Sequence, residues 1–205
     1  MSDARDLGLF PLDLVLLPSE RVPLHLFEPR YRQLYADCVL EDTPFVVIRA
    51  DGTGTADVGC TAVFETLVRR FEDGRLNVVV RGVEPVRVVD ETDGRLYFSA
   101  MVEPLPDDPA PAPAELAEGV LRRYRGLAGL GGDAEPDRPE DVPLSYAIAA
   151  TLEIPQDVKQ RLLESRDETQ RLGLLAELLE DAERGMRHAR VAAERASTNG
   201  KVTTP

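Results

Sequence analysis

Residues Leu9 to Leu34 read LFPLDLVLLPSERVPLHLFEPRYRQL, and this stretch decides the fold. An apolar run reaching Pro18 predicts a first strand. Ser19-Glu20-Arg21 is a turn, and Val22 to Phe27 predicts a second strand. Glu28-Pro29-Arg30-Tyr31 then opens a helix over about residues 29–40. Proline has no N–H to lose in the first helical turn, so Pro29 suits its start. Glu28 places negative charge at the positive end of the helix dipole.

Working outward, the rest of the first half continues as β structure. Pro44 to Ile48 is a short run rich in β-branched residues, too short for a helix. Three period-two runs follow: Val58, Cys60, Ala62 and Phe64; Leu76, Val78, Val80, Val86 and Val88; Leu96, Phe98, Ala100 and Val102. Each set is expected to face inward. Asp73-Gly74 and Asp93-Gly94 separate them, and Asp-Gly supplies the positive φ of a tight hairpin. A three-stranded antiparallel meander results. Pro85 cannot donate to a ladder and so marks an edge or a bulge.

Prolines 104, 106, 109, 111 and 113 favour irregular chain, and the domain boundary is placed there. The second half reads as helices. Leu116, Val120, Tyr124 and Leu127 share one helical face, ended by Gly131-Gly132. Leu144, Ile148 and Leu152 mark a second helix, and Pro155 starts a third holding Val158 and Leu162. Ser165-x-x-Glu168 has the pattern of a capping box for the longest helix. Its stripe is large at Leu172, Leu175 and Leu179, then small at Ala182, Ala189, Ala193 and Ala196 with Met186 between. The small half is expected to lie on a surface or extend beyond the bundle. The barrel is the favoured partner for it and a second copy of the chain the alternative. The organisation expected is a β domain over 7–104, a Pro-rich linker over 105–113 and a helical domain over 114–196.

Length and charge narrow the function. The 205 residues can bury a substantial core without staples. Cys38 and Cys60 share no metal-ligand spacing and read as buried thiols of a reducing compartment. With no signal-peptide pattern and no apolar run of about 20 residues, a soluble, cytoplasmic protein is expected. The net charge of −13 disfavours nucleic acid and anionic membrane as partners and suits basic or apolar ones.

The search for chemistry finds no catalytic site, no metal site and no cofactor motif. His25 and His188 are far apart, and neither has a second ligand at metal spacing. There is no GxxxxGK[ST] phosphate loop and no nucleophile–base pair to support a hydrolase. The acidic run Asp133, Glu135, Asp137, Glu140 and Asp141 lacks the calcium-loop ligand order and reads as a solvated loop. Arg69, Arg75, Arg81, Arg87 and Arg95 share the polar phase of the sheet. Residues 57–103 nevertheless hold nine acids against six arginines, so the stripe reads as the wet face of the sheet.

The opening stretch, with Asp57 to Ala62 (DVGCTA), Asp73 to Gly82, Leu144 to Ala147 and Lys159 to Glu164, resembles the N-terminal, substrate-binding domain of Lon proteases over roughly residues 7–182. The sequence departs from the family pattern at Leu17, at Ser19, where glycine is common, and at Glu84-Pro85-Val86. The resemblance implies an α+β fold, with a PUA-like, partly closed β barrel followed by a C-terminal helical bundle. It implies a non-enzymatic polypeptide-recognition module without ATPase or protease domains. The expected partners are unfolded or specific polypeptides, with a protease as a further candidate. A monomer is favoured over a weak dimer. The candidate peptide-binding residues are Pro23, Leu24, His25, Leu26, Phe27, Arg30 and Tyr31. An RNA-binding module on the same barrel is the alternative.

Overall fold

The computed structural model describes residues 4–52, 54–127, 129, 136, 139 and 141–199, with side chains described through Ala189. Strand β1 (Arg5–Leu12) pairs in parallel with β3 (Phe45–Asp51), from Leu9 opposite Val46 to Leu12 opposite Arg49. Its other edge pairs antiparallel with β7 (Ser99–Pro104). Strands β5 (Val58–Arg70) and β6 (Leu76–Thr92) complete the circuit β1-β7-β6-β5-β3, which the β1–β3 pairing closes. Closure satisfies edges that an open sheet would leave bare. The two-residue β4 (Gly54–Thr55) adds to β3, and β2 (Arg21–Leu26) lies off the ring on β6. The fold is thus the partly closed barrel expected. Leu7, Leu9, Val46, Ile48, Val86, Ala100 and Val102 form one cluster of its core.

The long strand β6 serves three neighbours. It pairs with β5, with β7 from Val86 to Thr92, and with β2 from Leu76 to Arg81. Leu76, Val78, Val80 and Val86 are buried as the alternation requires. Pro85 stands opposite Cys60, and the next pair is Ala62 with Gly82, so β6 carries one extra residue there. Pro85 therefore sits at a bulge, where its missing N–H is tolerated.

Two strand expectations are corrected. The first strand ends at Leu12, not at Pro18. Val15, Leu16 and Leu17 are buried in irregular backbone. Their peptide groups find side-chain partners in place of a ladder: Val15 N donates to Gln156 Oε1 at 2.6 Å and Leu17 N to Glu20 Oε2 at 3.0 Å. An apolar run reports burial, and burial does not require a strand. The second correction concerns Leu96 and Phe98, which are 78% and 53% exposed. The chain from Asp93 to Phe98 is loop, with Gly94 at φ +101°, and β7 starts only at Ser99. The loop resets the phase. Tyr97 turns inward instead, its hydroxyl donating to Asp37 Oδ2 at 2.9 Å, while Ala100 and Val102 keep the expected face.

The chain divides into two compact units, one of residues 1–110 with 136–168, the other of 111–135 with 169–205. Helices α3 (Leu144–Ala149) and α4 (Gln156–Glu164) belong to the barrel's unit, although the sequence reading grouped them with the later helices. The reason lies in the polar residues of α4. Gln160 Nε2 donates to Val58 O at 3.1 Å, Gln156 accepts from Val15, and Lys159 pairs with Glu20. A hydrophobic period does not register such contacts.

In the second unit, α2 (Ala114–Leu127) buries Val120 and Tyr124. The helix α5 (Glu168–Asn199) buries Leu172, Leu175 and Leu179. Arg123 joins the two through Glu183 at 3.3 Å and Glu180 at 3.7 Å. Ala182, Met186 and Ala189 are exposed, so at these positions the small stripe lies on a surface and lacks, among the described residues, the covering partner expected for it. The side chains of Ala193 and Ala196, the Gly131-Gly132 stop and most of the acidic loop lie outside the described residues.

Candidate functional site

The opening turn is pinned to β6. Ser19 N donates to Gly82 O at 2.9 Å, and Gly82 N donates to Glu20 O at 3.0 Å. A Cβ on residue 82 would lie 2.1 Å from Leu17 O, so only glycine admits this approach. Ser19 itself has φ +64°. These contacts set β2 against β6 with Pro23 opposite Val79, His25 opposite Asn77 and Leu26 opposite Leu76. Alternation then sends Leu26 into the core and leaves Pro23 and His25 exposed, with Leu24 half-buried. Phe27, just past the strand, is 60% exposed.

Helix α1 (Pro29–Glu41) begins at Pro29, with Glu28 extended at its N-cap. The Glu28 carboxylate pairs with Arg30 at 2.8 Å. Tyr31, Leu34 and Cys38 form its buried stripe, with the Tyr31 ring 4.0 Å from that of Phe10. The Arg30 guanidinium covers Tyr31 at 4.6 Å and Phe98 at 5.1 Å. Of the seven candidate residues, Leu26 and Tyr31 are therefore core, and Pro23, His25 and Phe27 are surface.

Those surface groups join residues that sequence reasoning did not select. His25 Nδ1 lies 2.6 Å from Asn77 Oδ1, and its ring stacks on Phe27 at 6.1 Å. Phe71 approaches His25 edge-on at 5.9 Å and is covered by Arg69 at 4.6 Å and Arg75 at 5.2 Å. Phe71 belongs to the β5–β6 turn, closed by Phe71 N to Arg75 O at 2.9 Å. His25, Asn77 and Arg69 thus form a row across three strands.

Beside this row, α1 and the β5–β6 hairpin enclose a groove of about 730 Å³. Arg32, Tyr35, Val39 and Leu40 line it from the helix, and Arg70, Gly74 and Leu76 from the hairpin. Val39 is 56% and Leu40 85% exposed. Arg32 Nη1 donates to Asp73 O at 3.1 Å, while its Nε is buried without a partner. The sequence did carry a signal for this wall: Val39 and Leu40 are large apolar residues off the Tyr31, Leu34, Cys38 stripe.

Burial pushes Cys38 up to about 11 and raises Cys60 as well, so both thiols stay protonated, the opposite of an activated nucleophile. The hydrogen bond from Arg21 holds Glu65 below the usual carboxylate range. On the wet face, Arg75, Arg81 and Arg95 are paired with Asp73, Glu65 and Asp6 at 2.6, 3.4 and 3.2 Å. That pairing reduces the positive charge available to a nucleic acid. No described helix is long and apolar enough to cross a membrane.

Comparison with known proteins places the chain. The profile of the ATP-dependent protease La (Lon) substrate-binding domain matches residues 6–181. Lon protease of Paraburkholderia phytofirmans is 32% identical over 124 residues, 56% of this chain and 15% of that protein. Lon protease 2 of Syntrophobacter fumaroxidans is 26% identical over 176 residues, 77% of this chain and 22% of its own. The chain thus spans less than a quarter of the length of either relative. A crystal structure of a Lon N-terminal domain protein from Xanthomonas campestris superposes with TM-score 0.64 and 27% identity, covering 83% of this chain and 96% of that one. The N-terminal domain of a Mycobacterium avium complex Lon protease superposes with TM-score 0.62 at 19% identity, covering 86% and 99%, and shares the fold.

Proposed function

This chain belongs to the ATP-dependent protease La (Lon) substrate-binding domain family, and from that premise we propose that its barrel unit recognises polypeptide without catalysing its cleavage. The observation that carries the reading is the groove along α1, where Val39 and Leu40 stand exposed on the helix. Exposed large apolar groups gathered in one concavity mark an interaction site. The exposed Phe27 and the ring of Phe71 add aromatic area on the hairpin side. Of the residues selected from the opening stretch, Pro23, His25 and Phe27 remain candidates for contact, while Arg30 lies over Tyr31 and Phe98. Leu26 and Tyr31 act by holding the strand and the helix in place. A protease that receives the bound polypeptide is the partner this reading calls for.

The test is binding of fluorescently labelled, unfolded casein to the wild type and to a Val39→Ser, Leu40→Ser variant. Burying one leucine side chain is worth about 1.5–3 kcal/mol, so the variant is expected to bind at least about tenfold more weakly. Its melting temperature should hold, because both side chains are exposed. Equal binding by the two proteins would remove the groove from the site. Failure of the wild type to bind any unfolded chain would remove the recognition role.

A further inference from the structure

We propose that the groove between α1 and the β5–β6 hairpin selects polypeptide segments in which a carboxylate lies close in sequence to a large apolar residue. The inference rests on the recognition reading above and adds the charge of what is recognised.

The groove departs from the charge of the whole chain. The sequence holds 37 acidic residues against 24 basic ones, yet the ten residues lining the groove include two arginines and no carboxylate. Arg70 is exposed at the groove's hairpin edge and has no carboxylate partner among the described residues. Arg32 points its Nη1 at a backbone carbonyl and leaves Nε buried and unpartnered. The Arg32 side chain is partly exposed in the groove and has no carboxylate partner among the described residues, so its guanidinium can take a carboxylate oxygen delivered by a ligand. The hairpin's Asp73 carboxylate is taken by Arg75 at 2.6 Å. Gly74 keeps the space open, since a Cβ there would lie 2.5 Å from Arg32 Nη1.

The apolar half of the ligand follows from the opposite wall. Val39 and Leu40 offer surface for a large apolar side chain, and Tyr35 gives that wall an aromatic floor held edge-on against Phe64 at 4.9 Å. The chain's overall negative charge repels acidic segments at long range, so the arginines act at short range, where a ligand already seated by its apolar residue meets them. Lysine-rich segments gain from the overall charge on approach and lose at the groove, where their ammonium groups face guanidinium groups.

Three labelled peptides with the same apolar residues test this, carrying Glu, Gln or Lys at the remaining positions. Binding is followed by fluorescence anisotropy at low and physiological salt. The wild type is expected to bind the Glu peptide about tenfold tighter than the Gln peptide, and the Lys peptide least. Arg70→Gln should narrow the Glu-to-Gln ratio, and Arg70→Glu should raise the rank of the Lys peptide. Arg70 is exposed, so both variants are expected to fold, and melting curves check that they do. If the Glu and Gln peptides bind equally, or the Lys peptide binds best, the charge inference is overturned while recognition stands. A Glu preference unchanged in both Arg70 variants overturns it too. Failure of all three peptides to bind overturns the charge inference, and if unfolded casein also fails to bind, the recognition reading falls with it.

Discussion

Ser19 occupies a left-handed backbone conformation, with φ +64°, in the turn that carries the whole opening motif. A non-glycine residue there costs roughly 1–2 kcal/mol. Ser19→Gly is therefore expected to stabilise the protein by about 1 kcal/mol, seen as a rise of roughly 2–4 °C in Tm for a chain of this size. The turn's partner residue predicts the reverse. Gly82→Ala forces a methyl to 2.1 Å from Leu17 O, a backbone atom that cannot swing aside. A loss of about 3 kcal/mol in a denaturant melt is expected; an Ala variant as stable as wild type would show that the turn can lift off β6. Glu20 completes this set. Its carboxylate is paired with Lys159 and accepts from Leu17 N, both side chains being nearly buried. Lys159→Met strands that charge and should cost about 3–5 kcal/mol. Adding Glu20→Leu should return only part of it, since Leu17 N loses its acceptor as well.

At the scale of the element, β6 is the strand on which the site depends, because it receives β2 and forms the hairpin with β5. Its alternation gives a direct comparison. Val80 is buried and Val79, opposite Pro23, is partly exposed. Val80→Asp puts an unpaired charge into the core at a cost of several kcal/mol, against a total stability of about 5–15 kcal/mol. Val79→Asp should cost far less. Thermal melts of the two variants should differ by many degrees, and coincident melts would mean that the strand is out of register by one residue. The same alternation failed where a loop interrupted it: with Gly94 at φ +101° the chain enters β7 at Ser99, and Leu96 and Phe98 end outside. Helix α1 shows the converse. Its buried stripe of Tyr31, Leu34 and Cys38 keeps a helical spacing, although the sequence reading took Tyr31 for a binding residue, and the outward Val39 and Leu40, on which the proposed function rests, lie off that stripe.

Beside the family resemblance, the sequence by itself determined, for the whole molecule, the β-then-helix order, the positive φ at Gly74 and Gly94 and the start of α1 at Pro29. Each of these follows from a local preference or a local period: positive φ at glycine, the missing N–H of proline, alternation along a strand. Only the tertiary structure decided the rest. It closed the barrel through the β1–β3 pairing, a contact between segments about 37 residues apart, from Leu9 to Val46. It joined α3 and α4 to the barrel's unit, with α4 held there by Gln156, Lys159 and Gln160. It chose among the seven candidate residues, burying Leu26 and Tyr31 and exposing His25 and Phe27, and it set two arginines without a carboxylate around a groove in an acidic chain. Local preferences act through a residue's own backbone and its near neighbours. Exposure, ion pairing and the composition of a groove depend on which distant segments arrive to cover or line it, and the folded chain alone specifies those.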